Sequence, residues 1–94
     1  MAWEIRFTAR VRKQKDKLPG SIVLRLEALA KAIMATGPKQ PSMPHFGRLK
    51  NWPGEVYHCH LNKGRPTYVA LWRVEGTAVI VEVIYVGTHE NAPY

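Results

Sequence analysis

Three segments of alternating polarity fill the second half of the chain: Val56 to Leu61, Thr67 to Val74, and Ala78 to Val86. Only the turns at Asn62-Lys63-Gly64 and Glu75-Gly76-Thr77 separate them. Links this short cannot carry a crossover, so the segments pair as an antiparallel meander. A sheet is thereby fixed, and the first half must supply whatever covers it.

That half opens with Trp3, Ile5 and Phe7 alternating with Glu4 and Arg6, the period of a half-buried strand. Thr8 is placed to cap a helix running to about Leu18. Val11, Gln14 and Leu18 form one stripe of it, and Arg10, Arg12, Lys13, Lys15 and Lys17 surround the rest. Pro19-Gly20 breaks it, and Ser21 is the expected N-cap of a second helix. Ile22, Leu26, Leu29, Ala30 and Ile33 recur there at helical spacing up to Thr36-Gly37-Pro38, with Val23, Leu24 and Met34 expected to widen the stripe. Residues 37–44 read as a surface loop, and 46–51 as an extra short edge strand or a continuation of that loop. The fold class is α+β: two N-terminal helices on one face of a mainly antiparallel sheet of four or five strands, in the order βααβββ. Ninety-four residues make one domain, 1–94, with one modest core.

Fourteen Lys and Arg against seven acids give a net charge of +7, which favours a polyanionic partner, either nucleic acid or an acidic protein. The single cysteine, Cys59, has no partner for an internal disulfide and reads as core. The opening Met-Ala-Trp-Glu-Ile lacks the basic and apolar regions of a signal peptide, and no apolar run approaches bilayer length. A cytoplasmic protein with no membrane contact is the expectation.

His58 and His60 share one face of their strand with Val56, while Tyr57, Cys59 and Leu61 take the core face. Either histidine is explained as well by a plain solvent-facing position as by catalysis; the pair together favours chemistry. Beside them the hairpin turn carries Lys63 and Arg65, and the tail after Val86 holds His89 and Tyr94. A phosphodiester of RNA is cleaved without metal when a base takes the 2′-hydroxyl proton, cations stabilise the phosphorane and an acid protonates the leaving 5′-oxygen. Histidine suits both proton-transfer roles. The seven acids are scattered, which argues against a metal nuclease, and no cofactor or metal site is expected. Trp52, Tyr68 and Trp72 read as core or sheet-face aromatics.

The order of elements, the length and the charge join three motifs: Gly47-Arg48-Leu49-Lys50-Asn51 before the His-bearing strand, Gly64-Arg65-Pro66-Thr67-Tyr68, and Gly87-Thr88-His89. Together they resemble the RelE/ParE superfamily of toxins from type II toxin–antitoxin pairs, over essentially the whole chain. Among its branches the chain looks closest to the RelE-like and YafQ-like mRNA interferases. In the YafQ-like pattern a histidine before the strand, a strand histidine and the Gly-Thr-His histidine serve the active site, and those positions here are His45, His60 and His89. Where that pattern opens the next strand with an acid, this chain has Thr67, with Arg65 two residues earlier. Tyr94 falls five residues after His89, across Pro93, where the pattern closes with an aromatic after four.

The resemblance implies a toxin that cleaves mRNA in the ribosomal A site, beside 16S rRNA, and is silenced by a cognate antitoxin. Joined to the reading of the residues themselves, it gives an expected catalytic set of His60 and His89 as acid and base, Tyr94 orienting or stacking, and His45 and His58 in support, with Arg65, Lys63, Lys50, Arg48 and Arg73 on phosphate or RNA. The rival readings are a ParE-like toxin that binds gyrase without RNA chemistry, and a non-catalytic RNA-binding module.

Overall fold

The computed structural model describes residues 3–76 and 79–94. Its elements are β1 (Glu4–Phe7), α1 (Ala9–Lys15), α2 (Gly20–Thr36), β2 (Gly47–Arg48), β3 (Val56–His60), β4 (Tyr68–Val74), β5 (Ile80–Thr88) and a 3-10 turn, His89–Asn91. One five-stranded sheet has the order β1-β5-β4-β3-β2. The meander β3-β4-β5 is antiparallel, β2 extends it on one side, and β1 runs parallel to β5 on the other. This is the expected α+β architecture, with 46–51 contributing a strand of two residues. Residues 77 and 78, within the expected second turn and third segment, lie outside the described residues.

Local chemistry sets the helix bounds. The Thr8 hydroxyl accepts from the N–H of Val11 at 3.1 Å, the expected cap. The regular helix then ends at Lys15, short of Leu18, because Lys17 and Leu18 bond to carbonyls three residues back and tighten the chain into a turn. The second helix starts earlier than Ser21. Pro19 occupies the cap position with an extended backbone, and its carbonyl accepts from Ile22 and Val23. The buried stripe of α2 is Ile22, Leu26, Leu29 and Ile33. Leu24 and Met34, expected to broaden it, are 69% and 44% exposed, since they fall off the i, i+4, i+7, i+11 line that meets the sheet.

The main core lies between the helices and one sheet face. Val11 and the α2 stripe meet Tyr57, Cys59, Leu61, Ala70, Trp72, Val81, Val83 and Val86 there. Trp72 is fully buried, and its indole N–H donates to the carbonyl of Pro38 at 2.8 Å, tying the loop after α2 to the sheet. The opposite face carries a smaller cluster of Val69, Leu71 and Tyr85, against which Leu49, Trp52, Ile84 and Ala92 pack.

One irregularity positions everything downstream. Leu71 pairs with Tyr85, but Trp72 pairs with Val83, so Ile84 is an extra residue in β5. Before this bulge the odd-numbered Val81 and Val83 face the helices; after it Val86 does, and Tyr85 faces away. The N–H of Val86 is taken by the side-chain oxygen of Gln14 at 3.0 Å. The polar member of the α1 stripe thus satisfies a backbone donor beside the bulge.

Candidate active site

Five rings assemble on the face opposite the helices. His60 is central: His45 stacks on it with ring centroids 4.1 Å apart and 26° between planes, and His89 meets it edge-on at 5.3 Å. The Tyr94 ring lies 5.0 Å from His58 and 6.0 Å from His89. The four histidines and the terminal tyrosine named from the sequence are thus contiguous.

Each is delivered by a specific backbone contact. His58 and His60 point the same way by the two-residue period of β3, with Tyr57 and Cys59 turned into the core. The N–H of His60 donates to the carbonyl of Pro44 at 2.8 Å, which lays the proline-rich loop along β3 and sets His45 against His60. His45 itself has φ of 54°, a left-handed conformation that few non-glycine residues adopt. His89 is fixed by its N–H donating to the Thr67 carbonyl at 2.7 Å. In the hairpin between, Asn62 accepts from the N–H of Tyr68 and Thr67 donates to the carbonyl of Gly64. The 3-10 turn then reverses the chain, Ala92 packs on the smaller cluster, and Tyr94 swings back over His58. Gly47 leaves room for His58: a Cβ there would stand 3.2 Å from Nε2.

Burial and mutual repulsion shape the electrostatics. Desolvation pushes the His58 imidazole below its ordinary value, helped by His45 and His89. His60 is lowered by burial first, then by His45, His89 and His58. Both therefore favour the neutral form, and each proton added to the ring of imidazoles opposes the next. The Nδ1 of His58 is buried with no hydrogen-bond partner among the described residues. Burial raises the Tyr94 phenol, which keeps its proton at neutral pH. Cys59, fully buried on the other face, is pushed up to about 12 by desolvation and is not a nucleophile.

The cations divide into three groups. Arg65, with Pro66, Thr67, Thr88, His89 and Glu90, lines a cleft of about 310 Å³ directly beside the histidines. Lys63 is exposed on the same hairpin turn. Lys50 lies on the far side of Tyr94, in a second recess that Arg48 also borders, although Arg48 stands opposite core-facing Tyr57 and so projects to the helix face. Arg73 is not brought to the site. It lies opposite Val56, whereas His60 lies opposite Val69, and its guanidinium is held by Glu82 at 3.0 Å and Glu75 at 3.7 Å. Its charge is already matched, so it has little left for a phosphate.

Sequence reasoning misses Glu90, which with Thr88 of the Gly87-Thr88-His89 motif flanks His89 and lines the Arg65 cleft. Adjacency to the Gly-Thr-His motif was the available signal. Trp52, read as a sheet-face aromatic, packs as expected on the smaller cluster but also lines the second recess. Among the described residues no group of three or more His, Cys, Asp and Glu side chains is arranged to hold a metal ion. Among them, too, no helix is long and apolar enough to cross a membrane.

No protein-family model matches the chain, and no curated protein sequence matches it. Solved structures do. A mutant of the E. coli toxin RelE in the free state superposes with a TM-score of 0.74 at 23% identity, over 96% of this chain and 86% of that one. The archaeal RelE in its complex with RelB from Pyrococcus horikoshii gives 0.77 at 13% identity, over 98% and 100%. The E. coli DinJ-YafQ toxin–antitoxin complex gives 0.68 at 14% identity, over 96% of each chain. At these identities the likeness speaks for the fold, and along nearly its whole length this chain has the fold of the RelE and YafQ toxins.

Proposed function

We propose that this chain is the toxin of a toxin–antitoxin pair and acts as an endoribonuclease that cleaves mRNA on the ribosome by general acid–base catalysis without metal. The observation that carries this reading is the contiguous set His45, His58, His60, His89 and Tyr94, on the sheet face left free by the helices and beside a cleft holding Arg65.

His60, whose proton affinity is lowered by burial and by its neighbours, is the base for the ribose 2′-hydroxyl. The 2′-oxygen attacks phosphorus, the bond to the 5′-oxygen breaks, and a 2′,3′-cyclic phosphate is left. His89, on the rim of the cleft, protonates the departing 5′-oxygen. Arg65, with Lys63 on the same turn, balances the charge of the crowded phosphorane. His45 holds the plane of His60, and His58 supports Tyr94, which stacks on a base or orients the phosphate. The RelE–RelB and DinJ–YafQ complexes, built on the same fold, support an antitoxin as the protein partner. The net charge of +7 suits both a ribosomal surface and an acidic neutralising chain, and the place of action is the cytoplasm.

Mapping mRNA ends after induction, beside the same assay on free RNA, tests this. New 5′-hydroxyl ends within translated codons, suppressed by co-expressed antitoxin, are expected. Intact mRNA with DNA damage would transfer the chain to the gyrase-binding toxins. Tight, salt-sensitive RNA binding without cleavage on translating ribosomes would make it a binding module.

A further inference from the structure

The turn after β2 builds a second recess on the same sheet face. The N–H of Leu49 donates to the Val56 carbonyl at 2.9 Å and that of Trp52 to the Leu49 carbonyl at 3.3 Å, so the turn is closed and anchored at the start of β3. Leu49 and Trp52 pack on Val69, Leu71 and Tyr85, which gives the recess an apolar floor. Lys50 and Asn51 form its rim and Tyr94 one wall, around a volume of about 370 Å³; Arg48 borders it from β2, but as the register partner of core-facing Tyr57 it directs its side chain to the other sheet face. Because the Tyr94 ring is 5.0 Å from His58, the recess and the histidine cluster share that wall.

An apolar floor with an aromatic wall takes a flat ring, and the Lys50 cation at the rim takes the negative charge attached to it. An acidic peptide supplies the charge without the ring. An unpaired nucleobase with its phosphate supplies both. The rim also discriminates: a side-chain amide pairs with N6 and N7 of adenine, and Lys with O6 and N7 of guanine, partners a pyrimidine edge does not offer. We propose that this recess holds a purine of the RNA strand next to the scissile phosphate, with Asn51 and Trp52 as specificity-determining residues. The inference rests on the RNA-cleaving reading for its substrate and adds where a base is read.

Titration with non-cleavable 2′-O-methyl dinucleotides ApA, GpG, CpC and UpU, followed by NMR of the Trp52 indole and Asn51 amide, tests it without any cleavage. Purine dinucleotides are expected to shift both resonances and bind roughly fivefold tighter than pyrimidine ones, and Asn51→Ala to shrink that ratio to about twofold or less. Equal affinities for purines and pyrimidines would overturn the proposal. So would shifts confined to the histidines and the Arg65 cleft. A wild-type chain that prefers purines here yet cleaves no mRNA would instead overturn the nuclease reading and leave the recess standing.

Discussion

His45 and His60 stack face to face, 4.1 Å between ring centroids, although one comes from a proline-rich loop and the other from the end of β3. Two imidazoles in this contact cannot both be charged cheaply, and His89 and His58 add to the repulsion at His60.

Acid should therefore weaken the fold. His58 and His60 bind protons less readily folded than unfolded, so the unfolded chain takes up more of them once the pH drops below the ordinary value of 6.5. The stability these groups contribute is complete above that value and is lost as pH falls through their lowered folded values. Thermal unfolding across this range should show a falling midpoint, and His45→Gln should flatten the slope. A midpoint independent of pH in wild type would contradict the cluster's electrostatics.

Gly47→Ala brings a methyl to 3.2 Å from His58 Nε2 and obliges the ring to move by a few tenths of an ångström. Cleavage is expected to slow by about tenfold, because Tyr94 leans on that ring, while the fold persists. Gly20→Ala meets nothing within 4 Å and serves as the control, stabilising the fold by about 0.4–1 kcal/mol through the lower entropy of the unfolded chain. Steady-state rates and urea midpoints of the two variants separate the effects.

Gln14→Leu strips the acceptor from the N–H of Val86, a fully buried residue. A loss of about 1–3 kcal/mol is expected for the orphaned donor. Because the contact lies beside the Ile84 bulge, hydrogen exchange in 85–89 should rise with it. Unchanged exchange there would show that the bulge stands without Gln14.

Arg65→Ala should slow cleavage by about 10²-fold or more, as loss of a charge partner for the phosphorane does. Arg73→Ala should leave the rate within about twofold, since its guanidinium is already held by Glu82 and Glu75 and it lies at the far end of the sheet. Single-turnover rates on one RNA decide between the two arginines.

The meander, the cover of two helices and the shared face of His58 and His60 were legible because each follows from a period of two or 3.6. Tertiary context decided the rest. Leu24 and Met34 are apolar yet face solvent, since the sheet admits only the narrow line of Ile22, Leu26, Leu29 and Ile33. Tyr94 depended on a 3-10 turn that no pattern announces. The Ile84 bulge is the deepest instance. Strict alternation from Val81 would carry the odd positions, His89 included, onto the helix face, and one extra residue reverses that. Arg73 was misplaced because its partners, Glu82 on the neighbouring strand and Glu75, become visible only once strands are in register.

Replacing both His60 and His89 by Ala removes the two groups that carry the proton transfers. Both rings lie on the free face, outside the core, so the variant should fold with an unchanged circular dichroism spectrum. Growth arrest and mRNA cleavage on induction should both disappear, with the rate down by about 10⁴-fold or more. A folded double variant that cleaves mRNA at the wild-type rate would contradict the account.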